Sequence, residues 1–370
     1  MKIGILGGGQ LGRMLIQEAL KYDDEFYTLD PAHDAPCHNI SYFTQGSFND
    51  YDIVLEFGQD KDVVTIEIEH VNADALAELE NRGVKVVPNS AIIKTIQQKI
   101  LQKKFYQKHD IPSPEFEVMD GSSDEIKMPL PFVQKMNTGG YDGKGVQVIR
   151  TNEDMKNLWI QDSVLEKLVD IDKELSIIVA KNENGETKAF PVTEMVADPK
   201  LNLLDFNVCP VDDLSEDVEN QINVIASKFL SAVDSPGLFA IELFLDKEGK
   251  VWVNETAPRL HNSGHQSQEG NTNSQFEQMY RVVKNLPLAD TDAIVYSGML
   301  NLVGAEGYTG KVIYEGMEDV LKMPETYIHL YGKTETKPGR KMGHINVLAE
   351  SREELMEKLI EVKAMVKVKA

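Results

Sequence analysis

The stretch Ile241-Glu242-Leu243-Phe244-Leu245-Asp246-Lys247-Glu248-Gly249-Lys250-Val251-Trp252-Val253-Asn254-Glu255 belongs to two apolar runs, residues 239–245 and 251–254, joined by the polar turn Asp246-Lys247-Glu248-Gly249. Such runs across a tight turn pair as an antiparallel hairpin. That pairing sets Glu242 and Glu255 on neighbouring positions of one face, with Asn254 beside them. Two carboxylates and a carboxamide with apolar flanks are poor core material, because unpaired buried charge is expensive. They suit Mg²⁺, which takes hard oxygen ligands and shares them with phosphates. The alternative is two surface glutamates on an exposed hairpin. Immediately downstream, Thr256-Ala257-Pro258-Arg259-Leu260-His261-Asn262-Ser263-Gly264-His265 compresses a base, two histidines and an amide around a proline and a glycine. It reads as a rigid polar loop built to hold an anion, or as an ordinary surface loop. Zinc is excluded there, for lack of cysteine or further histidine nearby.

Two segments upstream fit the same chemistry. Lys135-Met136-Asn137-Thr138-Gly139-Gly140-Tyr141-Asp142-Gly143-Lys144-Gly145-Val146 sets a strand lysine before a glycine-rich loop. This suits a flexible lid over polyphosphate, with cationic side chains against its oxygens. It is not a Walker A loop, since G-K-[ST] is missing; an ordinary hairpin loop is the alternative. Val164-Leu165-Glu166-Lys167-Leu168-Val169, followed by Asp172 and Glu174, is an apolar strand ending in a carboxylate. It can meet an adenine amino group and ribose hydroxyls, or be a strand edge with solvated charges.

At the N-terminus, Gly7-Gly8-Gly9-Gln10-Leu11-Gly12 satisfies G-x-G-x-x-G after an apolar run, and Leu11, Met14, Leu15 and Ala19 then recur at helical spacing. Asp30 ends the second strand, 26–29, where a dinucleotide fold places its ribose-binding acid. Alone this points to a nicotinamide-dependent dehydrogenase; more broadly, glycine amides at a helix start admit any phosphate. Residues 62–66 read as a third strand, 73–82 as a helix and 84–87 as a fourth strand, giving a small doubly wound α/β sheet. Residues 91–110 read as one lysine- and glutamine-rich helix, 111–114 as a linker and 115–172 as short strands around the glycine loop. A helix is expected near 217–233, mainly β structure over 291–350 and a charged helix over 352–366. The expected domains are 1–90, 91–290 with a lid at about 115–172, and a β-rich 291–370 that completes the substrate site.

The 370 residues carry a formal net charge of −22, which disfavours nucleic acid and anionic membranes as partners. No apolar run reaches the roughly 18 residues of a membrane span. The N-terminus lacks the cleavage site of a signal peptide. Cys37 and Cys209 form neither a disulfide framework nor a four-ligand zinc site, so a reducing cytoplasm is expected. Against the acidic whole, residues 329–345 hold Lys333, Lys337, Arg340 and Lys341 with one acid, Glu335. This basic island is either a solvated loop or the dock for an anionic small molecule.

Glu242, Asn254-Glu255 and Pro258-Arg259-x-His261-Asn262-Ser263-Gly264-His265 together resemble the ATP-grasp superfamily. Within it they are most similar to the 5-(carboxyamino)imidazole ribonucleotide synthases, carboxylating ligases of purine biosynthesis. The resemblance covers nearly the whole chain, including Gly7–Met14, Thr65-Ile66-Glu67-Ile68-Glu69-His70-Val71, Gly139–Gly145, Tyr331-Gly332-Lys333 and Gly339-Arg340-Lys341-Met342-Gly343-His344. It implies an ATP-grasp fold with a Rossmann-like preATP-grasp domain at the N-terminus, and a cytoplasmic homodimer. It also implies ATP and Mg²⁺ as cofactors, with bicarbonate and aminoimidazole ribonucleotide joined through carboxyphosphate. By that resemblance Lys99, Lys135, Glu166, Val169, Glu174 and Asn254 would hold ATP, with Gly140, Tyr141, Asp142, Gly143 and Gly145 closing over its phosphates. Glu242 and Glu255 would hold magnesium. Lys144, Arg259, His261 and Asn262 would be catalytic, the last three facing bicarbonate. Gln10, Leu11, Glu67, Glu69, Lys333 and Arg340 would bind the ribonucleotide, Lys333 and Arg340 at its phosphate; which of Glu67 and Glu69 points inward is open.

The chain departs from the family at three places. Lys99 replaces an arginine, which loses a bidentate fork. Val146 replaces a glutamine, and no histidine occurs over 191–198. Competing classes are a formate-using glycinamide ribonucleotide transformylase, an NAD-dependent dehydrogenase and a nucleotide-sensing regulator without chemistry. The dehydrogenase leaves Glu242 and Glu255 unexplained, and a regulator would lack them.

Overall fold

A computed structural model describes residues 1–121, 126–140, 145–198 and 203–370. The chain opens with β1 (Lys2–Leu6), α1 (Gln10–Ala19), β2 (Glu25–Asp30), β3 (Tyr42–Gln45), α2 (Tyr51–Gly58), β4 (Val63–Ile66), α3 (Ala73–Asn81) and β5 (Lys85–Val87). The five strands are parallel, in the order β3-β2-β1-β4-β5. β4 is buried along its whole length and β1 nearly so, as their unbroken apolar runs require of a sheet covered on both faces. Asn72 caps α3 by accepting from the Ala75 amide, and Asp50 caps α2 by accepting from Ile53. β3 and α2 are additions to the sequence expectation: β3 is a largely exposed edge strand without an apolar run.

The single helix expected over 91–110 is two, α4 (Ser90–Gln97) and α5 (Lys99–Lys108), broken at an extended Gln98. The break has a tertiary cause. The Lys99 amide donates to the Asn137 carbonyl and the Ile100 amide to Asn137 Oδ1, so the start of the glycine loop caps α5.

A four-stranded antiparallel sheet follows: β6 (Phe116–Asp120), β7 (Phe132–Met136), β8 (Val146–Ile149) and β9 (Asp162–Lys167), ordered β6-β9-β7-β8. Next come β10 (Ile171–Lys181), β11 (Thr187–Ala189), β12 (Thr193–Asp198), β13 (Leu203–Val208), α6 (Glu216–Ala232), β14 (Gly237–Asp246), β15 (Val251–Ala257), α7 (Ser267–Gly270), α8 (Gln275–Lys284) and β16 (Tyr296–Val303). A nine-stranded sheet runs β15-β14-β10-β12-β13-β16 and on through Lys341–Ala349 to Thr326–Leu330, with β11 paired to β10. One sheet thus carries both the 237–257 hairpin and the strand that begins at Lys341 in the basic island.

α1 lies on α8, where Leu11, Met14 and Leu15 share one core with Phe276, Met279 and Tyr280. Each such fully buried side chain contributes about 1.5–3 kcal/mol. Asp24 adds a polar clasp, accepting from Tyr280 Oη at 2.6 Å and Lys284 Nζ at 2.9 Å. The N-terminal sheet is thereby fixed against the large sheet, with a cleft between them. Among the described residues no helix is long and apolar enough to cross a membrane.

Candidate active site

In the hairpin, Glu242 and Glu255 are direct cross-strand partners. One step on, the register shifts: Leu243 pairs with Val253, and Asn254 is the extra residue of a β-bulge. Regular alternation would point Asn254 away from its neighbour Glu255. With the bulge, Asn254 Nδ2 donates to Glu242 Oε2 at 3.2 Å and its Oδ1 accepts from Lys135 Nζ at 2.8 Å. Lys99 meets Glu255 in an ion pair.

Behind these groups lies a buried charge cluster. Glu166, 2% exposed, is flanked by Lys135 at 3.1 Å and Lys103 at 3.2 Å, and Lys103 is itself only 2% exposed. Burial raises the Glu166 pKa, but the two ammoniums outweigh it and hold the carboxyl below its ordinary range. Burial lowers both Lys103 and Lys99 to about 8. Glu174 is pushed up, first by burial and then by Glu242.

The 259–265 loop is built around His261. Its Nε2 lies 3.3 Å from Glu242 Oε1, and its Nδ1 is 2.9 Å from Ser263 Oγ, which contacts Ser176 Oγ at 2.8 Å. The Gln275 side chain clamps the His261 backbone from both sides, accepting from its amide at 2.9 Å and donating to its carbonyl at 2.7 Å. Burial lowers the His261 pKa, opposed by Glu242. Arg259 pairs with Glu69 at 2.8 Å, which holds that carboxyl low despite its burial. Asn262 Nδ2 is buried without a hydrogen-bond partner. At the loop's end His265 packs on His344, which stacks on His329 at 4.5 Å, anchoring the loop to the C-terminal strands.

A cleft of about 1130 Å³ joins these groups. It is lined by Lys99, Lys135, Glu166, Val169, Glu174 and Asn254 among the expected nucleotide contacts, and by Gly140 and Gly145 of the loop. Glu242, Glu255, Arg259, His261 and Asn262 line it too, with Gln10, Leu11, Glu67 and Glu69 at the N-terminal side. Tyr141, Asp142, Gly143 and Lys144 lie outside the described residues. Lys333 and Arg340 do not line the cleft, although their neighbour Lys341 does. Lys333 reaches the N-terminal side, donating to Gln10 Oε1 at 3.2 Å and to the Lys341 carbonyl at 2.6 Å. Burial, then Arg340, lowers its pKa to about 8.

The glycine turn differs from its sequence expectation. Gly8 N–H donates to Asp30 Oδ2 at 2.8 Å, and Asp30 Oδ1 accepts from the Ala32 amide, so Asp30 is a local cap and no free ribose acceptor. Glu67 accepts from the amides of Gly9 at 2.9 Å and Gly12 at 3.3 Å. A side-chain carboxylate therefore sits where a phosphate would meet the helix start. A Cβ at Gly7 or Gly9 would stand 2.6 Å from Glu67, so these glycines make room for that carboxylate. The geometry removes the ground for a dinucleotide site, and it separates two glutamates that sequence left open: Glu67 serves the turn, Glu69 serves Arg259.

Sequence reasoning missed Gln275, Ser176 and Lys103. The α5 helix buries Gln102, Lys103 and Tyr106, so its inward face is polar and gives no apolar periodicity.

A two-carboxylate hairpin, a lysine-bearing glycine-loop sheet and a cleft between them define an ATP-grasp protein, and family models agree along the chain. A ribonucleotide synthetase preATP-grasp domain matches residues 1–97, an ATP-grasp domain 104–276, and a phosphoribosylaminoimidazole carboxylase C-terminal domain 297–358. The N5-carboxyaminoimidazole ribonucleotide synthase of Aquifex aeolicus is 34% identical over 99% of this chain and 97% of its own length. The crystal structure of the Thermotoga maritima synthetase superposes with a TM-score of 0.92 at 38% identity, covering 100% of this chain and 99% of that one. That of the Aspergillus clavatus synthase in complex with ADP and 5-aminoimidazole ribonucleotide gives 0.88 at 32% identity, covering 98% of both. The chain belongs to the N5-carboxyaminoimidazole ribonucleotide synthase family.

Proposed function

We propose that this protein uses ATP to attach bicarbonate to the exocyclic amine of 5-aminoimidazole ribonucleotide, releasing ADP and phosphate in purine biosynthesis. The observation that carries the proposal is the 3.3 Å contact between His261 and Glu242, which joins the anion-holding loop to the carboxylate pair. Bicarbonate would lie on Arg259, oriented by Glu69, and on the unpartnered amide of Asn262. Its oxygen attacks the γ-phosphorus, ADP leaves, and carboxyphosphate forms; the amine then attacks the carboxyl carbon and phosphate departs.

Lys135 and Lys99 would offset charge on the ATP phosphates, while Glu166 and Glu174 hold the nucleoside end. Glu242 and Glu255 fit Mg²⁺: these hard carboxylates are cross-strand partners at the cleft and would hold the ion, with nucleotide phosphates as the source of its further oxygens. Bound there, the ion would neutralise charge developing on the transferred phosphoryl group. Carboxyphosphate hydrolyses readily, so the 139–145 loop, with Lys144, would exclude water. Gln10, Leu11, Glu67 and Glu69 would border the ribonucleotide, with Lys333 and Arg340 at its phosphate. We further propose a cytoplasmic homodimer. The test is ADP release in the full chain: it should require both aminoimidazole ribonucleotide and bicarbonate. Equal ADP release with glycinamide ribonucleotide and formate would overturn the assignment.

A further inference from the structure

In a chain with 60 acidic residues against 38 lysines and arginines, three described cations that meet at one place have only neutral oxygens as hydrogen-bond partners. Lys333 donates to Gln10 Oε1 and the Lys341 carbonyl, Arg340 to the Glu335 carbonyl, and Arg13 to the Pro36 carbonyl. Arg13 stands one helical turn after Gln10 on α1, so both occupy the same side of the helix. It packs against the backbone of the basic island: a Cβ at Gly332 would lie 3.4 Å from Arg13 Nη1 and 3.6 Å from its Cζ. Those distances are ordinary contact, and it is the φ of +76° at Gly332 that calls for glycine beside this guanidinium. Arg13 Nε is buried with no hydrogen-bond partner. A guanidinium has five donors, and a buried donor left unmet costs about 1–3 kcal/mol. Glu67 and Asp34 lie near enough to favour the charged form of Lys333, yet none of the three cations donates to a carboxylate, and Arg13 keeps an unmet donor, so together they form a seat for an anion.

We infer that Arg13 is a third phosphate-binding side chain for the ribonucleotide, completing with Lys333 and Arg340 a seat split between α1 and the 332–340 turn. Its fork geometry suits the dianionic phosphomonoester, making it a determinant of ribonucleotide over ribonucleoside. This rests on the substrate reading above. It also means that the seat exists only where the N-terminal sheet and the C-terminal region meet.

The test compares wild type with Arg13→Met, Arg13→Gln and Arg13→Lys. Glutamine retains a donor for the Pro36 carbonyl, which keeps the test open if methionine fails to fold. Arg13→Met and Arg13→Gln should raise the KM for the ribonucleotide about 10- to 150-fold, the loss of one charge-assisted contact. Ribose 5-phosphate, as a probe that needs no turnover, should lose affinity by a similar factor. The KM for ATP and the melting temperature of Arg13→Gln should hold, and Arg13→Lys should recover part of the binding. Unchanged ribose 5-phosphate affinity in Arg13→Gln overturns the inference, as does a fall in kcat and melting temperature alone. If wild type binds ribose 5-phosphate through Arg13 but does not carboxylate the ribonucleotide, the substrate reading fails while the phosphate seat stands.

Discussion

Replacing Glu166 by glutamine removes the anion shared by two buried lysines, and the structure sets the size of the effect. Lys135 and Lys103 stand 3.1 and 3.2 Å from the carboxylate. At an effective dielectric of about 20, each attraction is worth about 5 kcal/mol. Returning a carboxylate to neutrality recovers several kcal/mol of desolvation, so breaking such a buried cluster from one side costs about 3–5 kcal/mol net. At roughly 2.1 cal/mol/K of unfolding entropy per residue, the 370-residue chain changes by about 0.8 kcal/mol per degree, so the melting temperature should fall about 4–6 °C. The assay is thermal unfolding of the unliganded protein at pH 7, for Glu166→Gln, Lys103→Met and the double variant. The double variant should regain at least half the loss, because it no longer buries an unpaired ammonium. The defect of Glu166→Gln should also shrink toward pH 10. Above about 8 the folded wild type itself gives up the Lys103 proton, so the attraction that Glu166 supplies to this ammonium is lost there as well as in the variant. A Glu166→Gln protein melting within about 1 °C of wild type, or no recovery on adding Lys103→Met, would show that this cluster is not the ion triad described.

Glu255→Gln should lower ATP turnover roughly 10²-fold or more with an unchanged circular dichroism spectrum, since a hard anionic ligand at the point of charge development is lost; near-normal turnover at ordinary magnesium rules out its metal role. Arg340→Ala should raise the ribonucleotide KM by about 1.5–3 kcal/mol of binding energy while the KM for ATP barely moves, with Arg340→Lys restoring only part. ATP binding at pH 8 should take up about half a proton in calorimetry across two buffers, because Lys99, held near 8, gains phosphate neighbours that raise its pKa. Lys99→Met should reduce that uptake.

Much of this site was legible from the sequence because its parts are local. The Glu242–Glu255 pairing follows from apolar runs and a turn, and Arg259, His261 and Asn262 are three neighbours in one loop. What escaped depends on contacts between distant segments. Lys103 sits in Lys99-Ile100-Leu101-Gln102-Lys103-Lys104, where no pattern separates a buried lysine from solvated ones. The break between α4 and α5 is imposed by Asn137, almost forty residues on, and the clamp on His261 by Gln275. The glycine turn misled because its motif reports close backbone approach without saying to what; here the approaching group is the chain's own Glu67.

The central claim is that bicarbonate, activated by ATP in the Glu242–Arg259–Asn262 corner, carboxylates the ribonucleotide amine. Bicarbonate labelled with ¹⁸O tests it most directly. Attack of a bicarbonate oxygen on the γ-phosphorus, followed by amine attack on carbon, leaves that oxygen on the released phosphate. Mass spectrometry of the phosphate from a reaction with ATP and aminoimidazole ribonucleotide should therefore show one ¹⁸O for each carboxylated product. Carboxylated product accompanied by unlabelled phosphate would contradict the carboxyphosphate route, and ADP release without carboxylated product would contradict the function itself.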